Sequence, residues 1–170
     1  MKTRITELLG IRYPVFQAAM SWASSNAPLV VAVSNAGAMG VIAGGPMRPD
    51  SFRKALADIK AGTDKPYGVN IPLTNPRAAE LLDIAYEARI PVMVASQGGP
   101  RAHLARFRAI GTKWLHVVAS VEHALKAEAA GVDALVVDGM EAGGHPPPSE
   151  VTTLVLVRRV VKAVRLPVVA

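Results

Sequence analysis

A proton-transfer group and a close-approach backbone sit together in the stretch Asp138-Gly139-Met140-Glu141-Ala142-Gly143-Gly144-His145. The imidazole of His145 can take or give a proton near neutral pH. The adjacent Gly143 and Gly144 let a backbone approach a bound group without a side chain intervening. Asp138, at the head of the stretch, adds a carboxylate. The apolar run Ala134-Leu135-Val136-Val137 precedes it and Pro146-Pro147-Pro148 follows. An unbroken apolar run rich in β-branched residues reads as a strand buried on both faces, so these residues sit where that strand emerges. The plainer reading of the same residues is a glycine-rich turn carrying a surface histidine, because short glycine motifs are weak signals.

Similar residues recur after other apolar runs: Ala19-Met20-Ser21, Gly44-Gly45, Asn70 and Gln97-Gly98-Gly99. The runs themselves predict strands over 15–20, 39–43, 67–71, 90–95, 114–118, 133–137 and 166–170. Between them, helical spacing and stop signals predict helices over about 27–35, 49–61, 76–88, one started by Gln97-Gly98-Gly99-Pro100 and stopped at Gly111, 121–130 and 150–164, with a short amphipathic turn at 3–9. Gly10, Gly37, Gly62, Gly111 and Gly131 stand where those helices should end.

Composition bounds what these elements can belong to. The chain has 170 residues, is 51% hydrophobic and has mean hydropathy +0.28, enough to bury a sizeable core. Its formal charge is +6, but the Lys and Arg residues are scattered and aromatics make up only 5%, which argues against nucleic acid as a partner. With no cysteine there is no disulfide framework, thiolate metal site or cysteine nucleophile. The N-terminus lacks a signal-peptide core, and no apolar run approaches the roughly 20 residues of a membrane span. A cytoplasmic protein without membrane attachment is the expectation.

Strands alternating with helices at this spacing imply right-handed βαβ units and a parallel sheet. A doubly wound sheet often carries a glycine-rich turn after its first strand, and Gln17-Ala18-Ala19-Met20 does not match that pattern. In a (β/α)8 barrel all strand ends converge on one mouth, which accounts for the spread of polar residues with a single ligand. The expected fold class is therefore α/β, of the TIM-barrel type. A complete barrel typically takes about 250 residues, so the chain reads as one domain over 1–170, a barrel cut after about seven strands.

Three separated segments carry a family resemblance: residues 1–11 with Tyr13-Pro14-Val15-Phe16-Gln17, then Lys65-Pro66-Tyr67-Gly68-Val69-Asn70-Ile71, then Gly139 to His145. Together they resemble the flavin-dependent family of nitronate monooxygenases (2-nitropropane dioxygenases) and enoyl-acyl carrier protein reductases. The resemblance spans the whole chain and implies an FMN-binding TIM barrel. Family members continue past the seventh strand into glycine-rich loops that grip the FMN phosphate. At matching positions it implies FMN contacts for Ala19, Met20, Asn70, Asp138, Gly143 and Gly144, and an active-site role for His145. Asp138 replaces a glutamine common in the nitronate enzymes, and Pro146-Pro147-Pro148 replaces their Arg-Gly, while Thr152-Thr153-Leu154 looks closer to the reductase branch. The implied activity is oxidation of nitronates or nitroalkanes with oxygen. The alternative within the family is NAD(P)H-dependent reduction of an enoyl thioester or quinone.

Outside the family, the chain could be an inactive barrel fragment that acts only by assembling with another chain, and homo-oligomers are expected. Glu141 reads as a residue that orders its loop or pairs with a nearby base, and not as catalytic. His103, His116 and His123 read as structural, and Met39, Met47 and Met93 as packing residues.

Overall fold

A computed structural model describes residues 1–145, 147 and 150–170. Its elements alternate as the sequence predicts: α1 (Arg4–Leu9), β1 (Phe16–Gln17), α2 (Ala27–Asn35), β2 (Met39–Ala43), α3 (Pro49–Gly62), β3 (Tyr67–Pro72), α4 (Ala78–Glu87), β4 (Val92–Ser96), α5 (Arg101–Ala109), β5 (Lys113–Val118), α6 (Val121–Ala130), β6 (Ala134–Val137), α7 (Thr153–Ala163) and β7 (Val168–Val169). The seven strands form one parallel sheet in sequence order. The sheet curls into part of a TIM barrel: a cleft of about 600 Å³ is lined by β1 and β7 together. The Arg4 guanidinium on α1 also donates to the Arg165 carbonyl just before β7.

Side-chain alternation along the strands sorts the core into two layers. Val69, Ile71, Met93, Trp114, Leu135 and Val137 face outward against the helices, meeting Phe52, Leu56, Leu81, Phe107, Ala127 and Val160. Met39, Val41, Val92, Val94, Leu115 and Ala134 face inward and meet Ile5 and Leu9 of α1. Since Met39, Val92 and Ala134 begin their strands, α1 closes the N-terminal end of the concave face. The C-terminal end is left for the polar residues. Fully burying a side chain such as Phe52 or Leu115 contributes about 1.5–3 kcal/mol.

Several boundaries shift by a residue or two from the sequence expectation, β4, α4 and β7 among them, and two departures have a visible cause. A first strand over 15–20 is expected, and β1 ends at Gln17. The reason is competition for the edge of β2: the Gln17 side chain donates to the Val41 carbonyl (3.1 Å) and accepts from the Val41 N–H (3.2 Å). Two residues further on, the Ala43 N–H donates to the Ser24 carbonyl (2.9 Å). With those positions taken, residues 18–20 peel away from the sheet. The last helix, expected from Glu150, begins at Thr153. The preceding Val151 is held by a bond from the Met140 N–H to its carbonyl (3.0 Å).

Candidate functional site at the strand ends

The polar residues singled out in the sequence occupy the C-terminal mouth of the half-barrel in two groups. The first is built on β1 and β3. Ser24 is fully buried and folds the 20–24 turn: its hydroxyl accepts from the Met20 N–H (2.8 Å) and donates to the Met20 carbonyl (3.1 Å). Ala19 packs against the inner apolar layer, and Met20 is 43% exposed. Among the described residues neither the Ala19 N–H nor its carbonyl has a hydrogen-bond partner. Asn70 lies between the outward-facing Val69 and Ile71, so its side chain is on the inner face. There its amide donates to the Val94 carbonyl (2.8 Å), with Ser96 Oγ at 3.4 Å.

Neighbouring loops are laced to the same rim. Asn75 donates to the Gly45 carbonyl (2.9 Å), the Thr74 hydroxyl donates to Gln97 Oε1 (2.5 Å), and His116 Nε2 meets the Gly98 carbonyl at 3.1 Å. His116 is buried, and burial pushes its pKa below the ordinary histidine value. Gly44 and Gly45 do not open onto the mouth. They pack against Phe52 and Pro72.

The second group follows β6. The Asp138 N–H donates to the Val118 carbonyl (3.1 Å), extending the ladder by one residue, and alternation with Val137 turns its side chain inward. The carboxyl is half-buried, and desolvation raises its pKa. From Gly139 the chain loops out and returns to α7, fastened at its neck by Glu141 and Thr153. The carboxylate of Glu141 accepts from the Thr153 N–H at 2.9 and 3.1 Å. Bonds from its own backbone N–H and from Thr153 hold its pKa below the ordinary value. Beyond the neck, Gly143, Gly144 and His145 are exposed, and added Cβ atoms at the two glycines would meet nothing within 4 Å.

Ala19, Asn70 and Asp138 thus share the concave face, with Met20 at its rim. His145 stands on a separate loop, and among the described residues no hydrogen bond ties it to the first group. Pro146 and Pro148, where the sequence departs from the nitronate enzymes, lie outside the described residues. Sequence reasoning missed the roles of Gln17 and Ser24. A lone amide inside an apolar strand was the available signal for Gln17. His103 stacks on Trp114 with ring centroids 6.1 Å apart, and Met39, Met47 and Met93 are buried in the core. Among the described residues no cluster of His, Asp and Glu could hold a metal, and no helix is long and apolar enough to cross a membrane.

Comparison with known proteins bears on this geometry. The family model described as nitronate monooxygenase matches residues 2–97 and 81–170. A (3aS,4S,5R,7aS)-5-hydroxy-7a-methyl-1-oxo-octahydro-1H-indene-4-carboxyl-CoA dehydrogenase of Mycobacterium tuberculosis is 35% identical over 173 positions, covering 100% of this chain and 48% of the relative. A nitronate monooxygenase of Pseudomonas aeruginosa is 32% identical over 217 positions, covering 100% and 61%. The structure of FabK from Thermotoga maritima superposes with a TM-score of 0.93 at 42% identity, covering 99% of this chain and 53% of that one. The chain therefore spans about half the length of the relatives it matches.

Proposed function

The chain belongs to the nitronate monooxygenase family, and from that premise we propose that its strand-end mouth holds an FMN ring beside His145 and serves an oxidoreductase acting on nitro compounds. The observation that carries this is the convergence of Ala19, Asn70 and Asp138 on the concave face, with the His145 loop leaving the same end of the sheet. The donor set suits a flavin ring. With the Asn70 amide nitrogen committed to Val94, its Oδ1 is the atom left to accept a ring N–H. The unpartnered N–H and carbonyl of Ala19 can meet the polar edge of the ring, and Met20 offers an apolar surface to its face. The unobstructed backbone of Gly143 and Gly144 leaves room for the opposite side.

A flavin bound there would supply the electron transfer. The chain's own task is to orient a substrate and move one proton. A carbon next to a nitro group has an acidic hydrogen, and a neutral imidazole at His145 would accept it at a ring nitrogen. Asp138, kept partly out of water, places a carboxyl on the floor of the same mouth.

A second reading, reaction at an acyl thioester, is favoured by the alignments. The CoA dehydrogenase aligns over 173 positions, close to this chain's own length, whereas the nitronate monooxygenase needs 217 and so carries inserted segments that this chain lacks. In the reducing direction, on an enoyl thioester, NAD(P)H would be the electron donor and His145 would give a proton; a dehydrogenase runs the same step in reverse, with His145 taking the proton.

The cofactor claim is tested by titrating the purified chain with FMN and, separately, with lumiflavin, which has the ring and no phosphate. Saturable quenching of flavin fluorescence by both, weakened by Asn70→Ala, is expected. Absence of saturable binding to either would contradict the assignment.

A further inference from the structure

His145 is carried on the loop that leaves β6 after Asp138, and the described contacts that anchor this loop lie at its neck. Among the described residues four bonds hold that neck. The Gly139 N–H donates to Thr153 Oγ1 (3.1 Å), the Met140 N–H to the Val151 carbonyl (3.0 Å) and the Ala142 N–H to the Gly139 carbonyl (3.0 Å). The fourth is the two-oxygen grip of Glu141 on the Thr153 N–H. Thr153 is the first residue of α7, and the N-cap Thr152 makes no side-chain capping bond. Glu141 therefore does the capping from outside the helix, and its negative charge faces the positive end of the helix dipole.

Glu141 is the one member of the neck whose bond to α7 is made by a side chain long enough to be replaced without altering the backbone path. The Gly139 bond is made to the short Thr153 hydroxyl, and the other two bonds run from backbone to backbone. We infer that Glu141 is a positioning residue: by clasping the first amide of α7 it fixes the neck from which His145 is presented to the mouth. The inference rests on the catalytic reading of His145 only in its last step. The holding of the loop stands on the contacts themselves.

Amide hydrogen exchange of the whole chain separates the two. In Glu141→Ala, exchange at the neck amides of Gly139, Met140, Ala142 and Thr153 should quicken about ten- to a hundredfold, the worth of one charge-assisted hydrogen bond. Exchange in β3 and β4 should stay as in the wild type. Glu141→Gln keeps one acceptor oxygen and should lie between the two. In flavin-loaded protein, Glu141→Ala should lower kcat more than it raises KM, and that loss should vanish in a His145→Asn background. Unchanged exchange in Glu141→Ala would overturn the inference, as would a kcat loss of the same size with and without His145. If His145→Asn itself costs nothing, the catalytic reading fails, and the exchange result alone then decides whether Glu141 holds the loop.

Discussion

Replacing Gly139 with alanine tests how tightly the loop after β6 is seated. A Cβ at Gly139 would lie 2.1 Å from the Thr153 nitrogen, 2.5 Å from its Oγ1 and 2.6 Å from Glu141 Oε2. Ordinary contact between heavy atoms is about 3.5 Å, so Thr153 must retreat by more than an ångström. Overpacking of this kind costs about 1–3 kcal/mol when the surroundings cannot yield. Opening the neck instead gives up four hydrogen bonds at about 0.5–1.5 kcal/mol each, roughly 2–6 kcal/mol together, so overpacking is the cheaper route and sets the expected loss. Global stability should fall by about 1–3 kcal/mol, with protection reduced first at the bonded amides of Gly139, Met140, Ala142 and Thr153. Gly143→Ala is the control: its Cβ meets nothing within 4 Å, and a change within about 0.5 kcal/mol is expected. Urea denaturation reads the global term and amide exchange the local one. Equal effects of the two substitutions, or no effect of Gly139→Ala on either readout, would refute the reasoning.

Asn70→Ala should destabilise by about 1 kcal/mol, because the Val94 carbonyl loses a 2.8 Å donor, and should weaken ring binding in the same titration. His116, with its pKa depressed by burial, favours the neutral form when folded. Its contribution to stability is thus present above the ordinary histidine value near 6.5 and lost as pH falls through the lower folded value. Urea melts at stepped pH should show this slope, and His116→Gln should flatten it. The open edges of β1 and β7, with Val15 58% exposed, should drive the 170-residue chain into dimers or larger species; light scattering that finds only monomer would count against it.

Much of the fold was legible because each βα unit announces itself locally. The run Met39 to Ala43 is apolar throughout since both of its faces are buried, and helix α6 is marked by Ser120, which caps it, and by Gly131, which ends it. What stayed hidden depends on side chains that bind backbone. Periodicity reads 15–20 as strand and cannot show that Gln17 takes over the edge of β2. Likewise Glu150 looks like a helix start until Val151 is tied to Met140. In the site, alternation alone places Asn70 and Asp138 on one face, but the position of His145 follows from the neck of its loop, which no local pattern in 138–145 encodes. The glycine pair at 44–45 reads equally as part of the mouth or as a plain turn, and its packing against Phe52 and Pro72 makes it a turn.

Proton transfer by His145 at the substrate carbon is read out by kcat/KM of flavin-loaded wild type and His145→Asn on a neutral nitroalkane and on its pre-formed nitronate. The nitronate has already lost the proton, so its oxidation should be nearly unchanged, while turnover of the neutral compound falls by about 10² to 10⁴, the usual worth of one acid–base group. An equal loss on both forms, or none on either, would contradict the assignment.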